Sequence, residues 1–123
     1  MEGLRKQAYR DKMRELGKTL RHRIEIGRYV EGRDEWGDPL PNPVWQPVAA
    51  VWAAVEALTG RLYFEAQQSN VQSDHRVTIR YRAGIEPGMV VRHDGRDLEI
   101  QAVLDRDGRR RWLQLMCREV TPA

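Results

Sequence analysis

The sequence is poor in cysteine, in phenylalanine and in long apolar runs. Its 123 residues include a single cysteine, Cys117, which excludes an internal disulfide and any cysteine-cluster zinc site. The longest uncharged apolar stretch, residues 47–55, is far shorter than the roughly 20 residues that a membrane span needs. The N-terminal segment is charged and has no apolar core, so it does not fit a signal peptide. We therefore expect a small soluble domain that is made inside a cell and has no membrane partner.

Familiar catalytic and cofactor-binding motifs are also missing. The sequence has no Gly-rich phosphate loop, no Gly-x-Ser-x-Gly elbow and no paired-carboxylate motif. Its three histidines, His22, His75 and His93, lack a second ligand at metal spacing and are expected at the surface or at strand edges. Asp74 directly precedes His75, but adjacent strand residues face opposite sides, so this carboxylate is not expected to hold the imidazole. The sequence therefore predicts a protein that is not an enzyme and that has no cofactor and no metal.

Charge is plentiful, with 21 Lys and Arg against 18 Asp and Glu, and it is unevenly distributed. Residues 1–28 have a balance of +5, residues 29–72 a balance of −4, and residues 73–123 a balance of +2. Chance clustering of solvated side chains would produce such a division. A protein with one electropositive and one electronegative region, suited to stacking against charged partners, would produce it too. Both interpretations stay open at this point.

Alternating apolar and polar residues indicate strands in much of the chain. In residues 75–81 we expect Val77, Ile79 and Tyr81 to point inward. The dipeptide at 94–95, Asp-Gly, predicts a two-residue hairpin turn, because both positions need a positive φ. In the strand that follows this turn, the face that is expected to point inward consists of Leu98, Ile100 and Ala102.

Two segments are harder to assign. Residues 31–43 contain two glycines and three prolines, which predicts a long loop without a regular element. In residues 44–58, Pro47 and five alanines favour a helix, whereas the β-branched and aromatic residues favour a strand that is buried on both faces. Whichever applies there, turns and hairpins dominate the chain. They indicate an all-β fold, a small antiparallel β-barrel or sandwich of about six strands with long loops.

The N-terminal segment differs from the rest. Tyr9, Met13 and Leu16 fall on one face of a helical pattern, and Gly17 supplies a helix stop. The pattern predicts a short basic helix within residues 1–16, ahead of a β-barrel domain over residues 17–123.

The tryptophans and the cysteine divide into two groups. Trp52, Trp112 and Cys117 lie within strand patterns, so we expect them in the core. Trp36 and Trp45 flank the proline-rich loop, where each ring is either tucked under the loop or used at an interface.

Two groups of arginines have the charge that phosphate contacts need. One group follows a turn and the other shares the outer face of a strand: Arg109, Arg110 and Arg111, and Arg76, Arg80 and Arg82. Acidic residues lie close to them in sequence, and aromatic residues do not alternate with them as a single-strand binding platform requires. A solvated face or a protein interface is therefore favoured, and a DNA-binding β-barrel that uses an arginine-rich face stays open as the alternative.

Several short segments follow one another in a familiar order. They are GKTLRHRIEI (17–26), DEWG (34–37), VWAAVE (51–56), GR (60–61), YFEAQQ (63–68), HRVTIRY (75–81) and DGR (94–96) followed by EI (99–100). Together they resemble the phage head–tail joining proteins, also called head closure or stopper proteins. The resemblance covers residues 17–120, and residues 1–16 depart from it.

This resemblance implies a structural connector of the virion that is assembled in the cytoplasm of the bacterial host. Such proteins are small β-barrels that form a homo-oligomeric ring, a dodecamer in the virion, beneath the portal and its adaptor (head completion) protein. The ring retains the packaged double-stranded DNA that passes through its channel, and it provides tail attachment through a tail completion or terminator protein. The resemblance also favours a strand over residues 44–58.

The resemblance further implies that the connection formed by residues 58–71 faces the central channel, where loops from many copies close it. A channel for DNA benefits from negative charge nearby, because phosphates then slide instead of binding, and the segment with a balance of −4 contains this connection. The residues expected to form the channel loop, or gate, are Tyr63, Phe64, Glu65, Gln67 and Gln68. The residues expected at interfaces are Trp36, Trp45, Arg109, Arg110 and Arg111.

Overall fold

Six β-strands form a closed antiparallel barrel in the computed structural model, which describes residues 20–60, 63–64, 73–105 and 108–120. The strands are β1 (His22–Val30), β2 (Val44–Ala57), β3 (His75–Arg80), β4 (Val90–His93), β5 (Arg96–Leu104) and β6 (Trp112–Val120). Around the barrel the order is β1-β2-β3-β6-β5-β4. The all-β fold is confirmed, and the choice between barrel and sandwich is resolved in favour of the barrel. The helix predicted within residues 1–16 lies outside the described residues.

Inward-facing residues of all six strands fill the barrel, together with Ile85 and Met89 from the β3–β4 connection. Burying each Val, Leu, Ile or Met side chain contributes about 1.5–3 kcal/mol. Cys117 is fully buried among them, as predicted, and burial raises the pKa of its thiol to about 12. The core cluster consists of Ile24, Ile26, Ala53, Val77, Ile79, Ile85, Met89, Val91, Leu98, Ile100, Leu113, Leu115 and Cys117.

The alternation pattern is wrong at two positions, each for a local reason. Tyr81 is 38 % exposed because β3 ends one residue earlier, at Arg80. Ala102 is not a member of the core cluster, because an irregularity in the β5–β6 register between Ile100 and Ala102 shifts the alternation. Val103 packs against the core instead.

The segment with conflicting signals is one strand, β2, of 14 residues. The strand is confirmed, but burial on both faces is wrong, because one face of a barrel strand points outward and Trp52 on that face is 54 % exposed. β2 pairs with β3 only over Ala53–Ala57. Its first half pairs with β1 alone, so the β1–β2 hairpin continues past the strands beside it. Pro47 lies in this half, where the β1–β2 register shifts, which is a position that tolerates the missing N–H.

Antiparallel strands place successive connections at alternate ends of the barrel. The connections 31–43, 81–89 and 105–111 share one end, and the connection 58–74 and the β4–β5 turn share the other. The β4–β5 turn has positive φ at both Asp94 (52°) and Gly95 (74°), which confirms the predicted hairpin. Tyr63 and Phe64 of the expected channel loop are therefore at the opposite end of the barrel from Trp36 and from residues 109–111.

Candidate functional site

Residues 31–43, here called the acidic loop, are an ordered extension of the β1–β2 hairpin. Arg33 and Pro39 form an antiparallel bridge across it. The Asp34 carboxylate accepts hydrogen bonds from the backbone N–H groups of Trp36 and Asp38, both at 2.9 Å. The predicted long loop without a regular element is confirmed, because β1 ends at Val30 and β2 begins at Val44. The side-chain-to-backbone bonds of Asp34 form the turn that the glycines and prolines permit.

The tip of the acidic loop presents an indole ring to solvent. Trp36 is 78 % exposed. Behind it, Arg33 donates a hydrogen bond to the carbonyl of Gly37 at 2.7 Å, and Gly37 adopts a φ of +83°. The loop holds four acidic residues and one basic residue, a net charge of −3. The exposed Trp36 ring therefore lies at the tip of an ordered loop that has a negative net charge.

Trp45, on the stem of the same hairpin, packs against the outer surface of the barrel. The Cζ atom of Arg92 lies 3.9 Å from the centroid of its ring, and the ring of Tyr29 meets it edge-on at 5.1 Å. Arg92 donates a hydrogen bond to the Tyr29 hydroxyl at 2.8 Å, and this hydroxyl donates to Asp97 at 2.7 Å. The hydrogen bond with Tyr29 raises the pKa of Arg92, so the guanidinium stays charged. We call Tyr29, Trp45, Arg92 and Asp97 the stem cluster.

The arginines of the β5–β6 connection are exposed at the same end as the acidic loop. Arg109, Arg110 and Arg111 precede β6. Arg110 has a φ of +55°, and its backbone N–H donates to the carboxylate of Asp105 at 3.0 Å. The structure thus brings these arginines and Trp36 to one end of the barrel.

The second group of arginines is not a continuous free face. Arg76 forms an ion pair with Glu56 at 3.0 Å, and the Cζ atom of Arg80 lies 4.9 Å from the centroid of the Trp112 ring. Trp112 is 8 % exposed, which confirms its predicted burial. Arg82 follows the end of β3, so the expectation that all three share one strand face is wrong for it.

A surface cavity of about 330 Å³, which sequence reasoning missed, lies between the start of β1 and the end of β3. We call it the basic groove; it is lined by Leu20, Arg23, Trp52, Arg80, Tyr81 and Arg82, together with Ala50 and Val51. The core assignment of Trp52 is wrong: the ring is 54 % exposed because it shares the outer face with its cross-strand partner Arg23. Arg23 lies 5.6 Å from its centroid.

A second surface cavity, of about 560 Å³, adjoins the basic groove through Arg23 and carries charges of both signs. His93 lies on its wall and meets the ring of His22 edge-on, with centroids 4.8 Å apart. Burial, and then the proximity of His22, lowers the pKa of His93. This environment therefore favours the neutral form of the His93 imidazole.

At the opposite end of the barrel, two residues of the expected channel loop are described. Tyr63 is 40 % exposed and Phe64 is 66 % exposed, and their rings meet edge-on with centroids 6.1 Å apart. The other three expected residues, Glu65, Gln67 and Gln68, lie outside the described residues.

Asp74 connects the end of this segment to β6. Its carboxylate accepts hydrogen bonds from His75 Nδ1 at 2.7 Å and from the backbone N–H of Glu119 at 2.9 Å. Its own N–H donates to the carbonyl of Cys117, and its carbonyl accepts from the N–H of Leu58. The prediction that Asp74 does not hold the neighbouring imidazole is wrong, because Asp74 precedes β3 and is not part of its alternation.

Two findings concern the described residues alone. Residues 20–60, 63–64, 73–105 and 108–120 contain no group of three or more His, Cys, Asp or Glu side chains arranged to hold a metal ion. Within these same ranges, no helix has the length and apolar character to cross a membrane.

Comparison with known proteins supplies the context for these surfaces. The family model for phage head completion proteins matches residues 17–120. The solution structure of protein SF1141 from Shigella flexneri 2a is similar, with a TM-score of 0.65 and 28 % identity over 85 % of this chain and 96 % of that chain. A chain from the virion of a native gene transfer agent particle shares the fold, with a TM-score of 0.50 and 20 % identity over 81 % of this chain and 94 % of that chain. A search of the curated proteins gave no match.

The family match begins at the residue where the sequence resemblance begins, and it covers the whole barrel. The resemblance to phage head–tail joining proteins is therefore confirmed at the level of the family. This family consists of structural virion components and is not an enzyme family. The chain belongs to the phage head completion protein family, and its role is a structural one in the phage virion.

Proposed function

We propose that the protein forms a ring of twelve copies beneath the portal and its adaptor, where it retains packaged double-stranded DNA and docks the tail. The observation that carries the proposal is the family match over residues 17–120. In this role the other contact of the ring is with a tail completion or terminator protein. The ring is assembled in the cytoplasm of the bacterial host and needs no cofactor.

The distribution of exposed aromatic rings supports a subunit that contacts other subunits. Trp36 at one end of the barrel and Phe64 at the other are the two most exposed large apolar side chains among the described residues, at 78 % and 66 %. Aromatic residues are enriched at protein–protein interfaces relative to the rest of the protein surface. A subunit of a stacked ring has both neighbouring copies and stacked partners that could cover such side chains.

Electron microscopy of the purified protein mixed with its cognate portal and adaptor rings tests the ring directly. The expected result is an additional ring beneath the adaptor. Portal and adaptor complexes that gain no density after mixing would contradict the proposal.

The gate function is assigned to Tyr63, Phe64, Glu65, Gln67 and Gln68. Bulky and amide side chains from several copies pack together to close the channel and separate again when DNA passes. The two exposed rings of Tyr63 and Phe64 have the size and accessibility that such packing requires.

Replacement of Tyr63 and Phe64 by alanine tests this assignment. We expect folding to be intact, because both side chains are exposed, and we expect filled heads to lose DNA. The release of DNA from filled heads is measured by nuclease sensitivity. Leu104→Ala is a matched control, because Leu104 is an exposed apolar residue outside this loop. Heads that retain DNA in the double variant would count against the gate.

The alternative of a DNA-binding barrel with an arginine-rich face receives less support. Arg76 is paired with Glu56, and Arg82 lies past the end of β3, so the three arginines do not form one continuous strand face. The alternative expects the monomer to bind duplex DNA with an affinity that falls steeply as salt rises. Binding of that kind, without any ring on the portal and adaptor, would favour it.

A further inference from the structure

We infer that the acidic loop of one copy docks in the basic groove of the next copy, so that the ring is held by head-to-tail contacts. The inference rests on the proposed ring and names the surfaces that join its subunits. The two surfaces carry opposite charge, and their separation along one hairpin prevents them from meeting within one copy.

The basic groove has the composition of a site for an acidic, aromatic segment. Three arginines, Arg23, Arg80 and Arg82, line it, and no carboxylate does. Trp52 and Tyr81 are 54 % and 38 % exposed. Guanidinium groups bind carboxylates and stack on aromatic faces, and tryptophan and arginine dominate the energetics of protein interfaces.

The acidic loop offers the complementary group. It has a net charge of −3, and its tip carries Trp36 with Glu35 beside it. Asp34 holds the turn through two backbone hydrogen bonds of 2.9 Å, so the tip is already ordered before it meets a partner. A preordered segment loses little conformational entropy on binding, which favours affinity.

The two surfaces of one copy are too far apart to meet. Trp52 lies eight residues along β2 from Val44, where the acidic loop ends, and β1 pairs with β2 along this whole length. At roughly 3.3 Å per residue this separation is about 26 Å. The loop of one copy therefore reaches only the groove of another copy. A contact between two different faces repeats from copy to copy and closes into a ring when the rotation allows it.

Two other occupants fit the groove less well. Residues 1–16 precede the groove residue Leu20 in the chain, but they carry five basic and three acidic side chains, the same sign as the groove. A cavity of about 330 Å³ is at the small end of the range for ligand sites, which suits one or two side chains rather than a duplex.

Chemical cross-linking on the assembled ring tests the contact. The variant with both Glu35→Cys and Arg82→Cys is mixed with cognate portal and adaptor rings and treated with a short bifunctional maleimide. We expect a ladder of cross-linked multimers on a denaturing gel. Cys117 adds no background, because it is fully buried and its thiol pKa is raised to about 12.

The controls separate this contact from chance proximity. Each single-cysteine variant is expected to give no ladder, because a head-to-tail contact does not bring identical positions together. Arg82→Cys combined with Arg118→Cys, at an exposed position on β6, is the matched pair and is expected to give none either.

Charge reversal gives a second readout. Glu35→Lys alone and Arg82→Glu alone are each expected to abolish the added ring, and the two together are expected to restore it. Glu86→Lys makes the same charge change as Glu35→Lys at an exposed turn outside both surfaces and should leave the ring intact. Circular dichroism melting of every variant confirms folding.

The possible outcomes distinguish a failure of the loop–groove contact from a failure of the proposed ring function on which it rests. A wild-type protein that adds no ring overturns the proposed function and with it this contact. A wild-type ring that forms normally, with no ladder and no effect of charge reversal, overturns the contact alone. Salt-sensitive binding of duplex DNA that Arg82→Glu abolishes while rings still form would instead make the groove a nucleic-acid site.

Discussion

Trp36 and Trp45 lie nine residues apart on one hairpin, and they differ in their contacts and in their exposure to solvent. Trp45 contacts Arg92 at 3.9 Å and meets Tyr29 edge-on at 5.1 Å, whereas Trp36 is 78 % exposed. The stem of the hairpin lies beside β4 and β5, which supply Arg92 and Asp97, and the tip extends past every strand that could cover it. The same residue type therefore stabilises the fold at one position and is free for a partner at the other.

The largest expected effect comes from filling the space beneath Trp45. A Cβ atom on Gly27 would lie 2.5 Å from the Gln46 carbonyl oxygen and 2.6 Å from Cζ2 of Trp45. Because one obstacle is backbone, Gly27→Ala is expected to lower the free energy of unfolding by about 3 kcal/mol. Urea unfolding monitored by tryptophan fluorescence measures the change.

Gly32→Ala, in the acidic loop, is the matched control. There a Cβ atom meets only side-chain atoms, Cγ2 of Val44 at 2.5 Å and Cδ1 of Leu40 at 2.8 Å, and these side chains move at small cost. We expect a loss below about 1 kcal/mol. Equal losses of unfolding free energy for Gly27→Ala and Gly32→Ala would contradict the explanation that the backbone at Gln46 leaves no room for a side chain at Gly27.

The comparison of the two tryptophans is tested by removing each ring. Trp45→Ala is expected to cost about 2 kcal/mol, since it removes a cation–π contact, an aromatic contact and apolar burial. Trp36→Ala is expected to change stability by less than about 0.5 kcal/mol. The midpoints of thermal unfolding show the difference, and a destabilisation by Trp36→Ala as large as that by Trp45→Ala would break the comparison.

The smallest expected effect is on the pH dependence of stability. It concerns Arg92 and His93, two neighbours on β4 whose pKa values shift in opposite directions. The stem cluster keeps Arg92 charged, whereas burial and His22 lower the pKa of His93 below the ordinary value of 6.5. The unfolded chain then binds a proton on His93 more tightly than the folded one does. The stability contribution is complete above about pH 6.5 and is lost as the pH falls below that value.

Unfolding free energies measured between pH 7.5 and pH 5 test this sign. His93→Gln should flatten the decline on the acidic side, because the variant has no imidazole to protonate. An unchanged decline in the variant would assign the pH dependence to other groups.

Much of the fold follows from local patterns. Val77, Ile79 and Cys117 are buried as their alternation predicts, and the Asp94–Gly95 turn has the two positive φ angles that its residues favour. Short-range sterics and the period of two are enough for these features. Asp74 could not be placed in this way, because its partner at Glu119 is 45 residues away in the chain.

The strand pattern, most of the core and the family could be predicted from the amino-acid sequence, since they depend on residues that are close together in the chain or on the order of short segments. The exposure of Trp52, the packing of Trp45 against Arg92 and the convergence of three arginines on one groove could be seen only in the folded chain. These features depend on strand register and barrel closure, which bring Arg23 next to Trp52 and Arg80 near both. Register is set by the packing of all six strands at once, so no single segment of the sequence contains it.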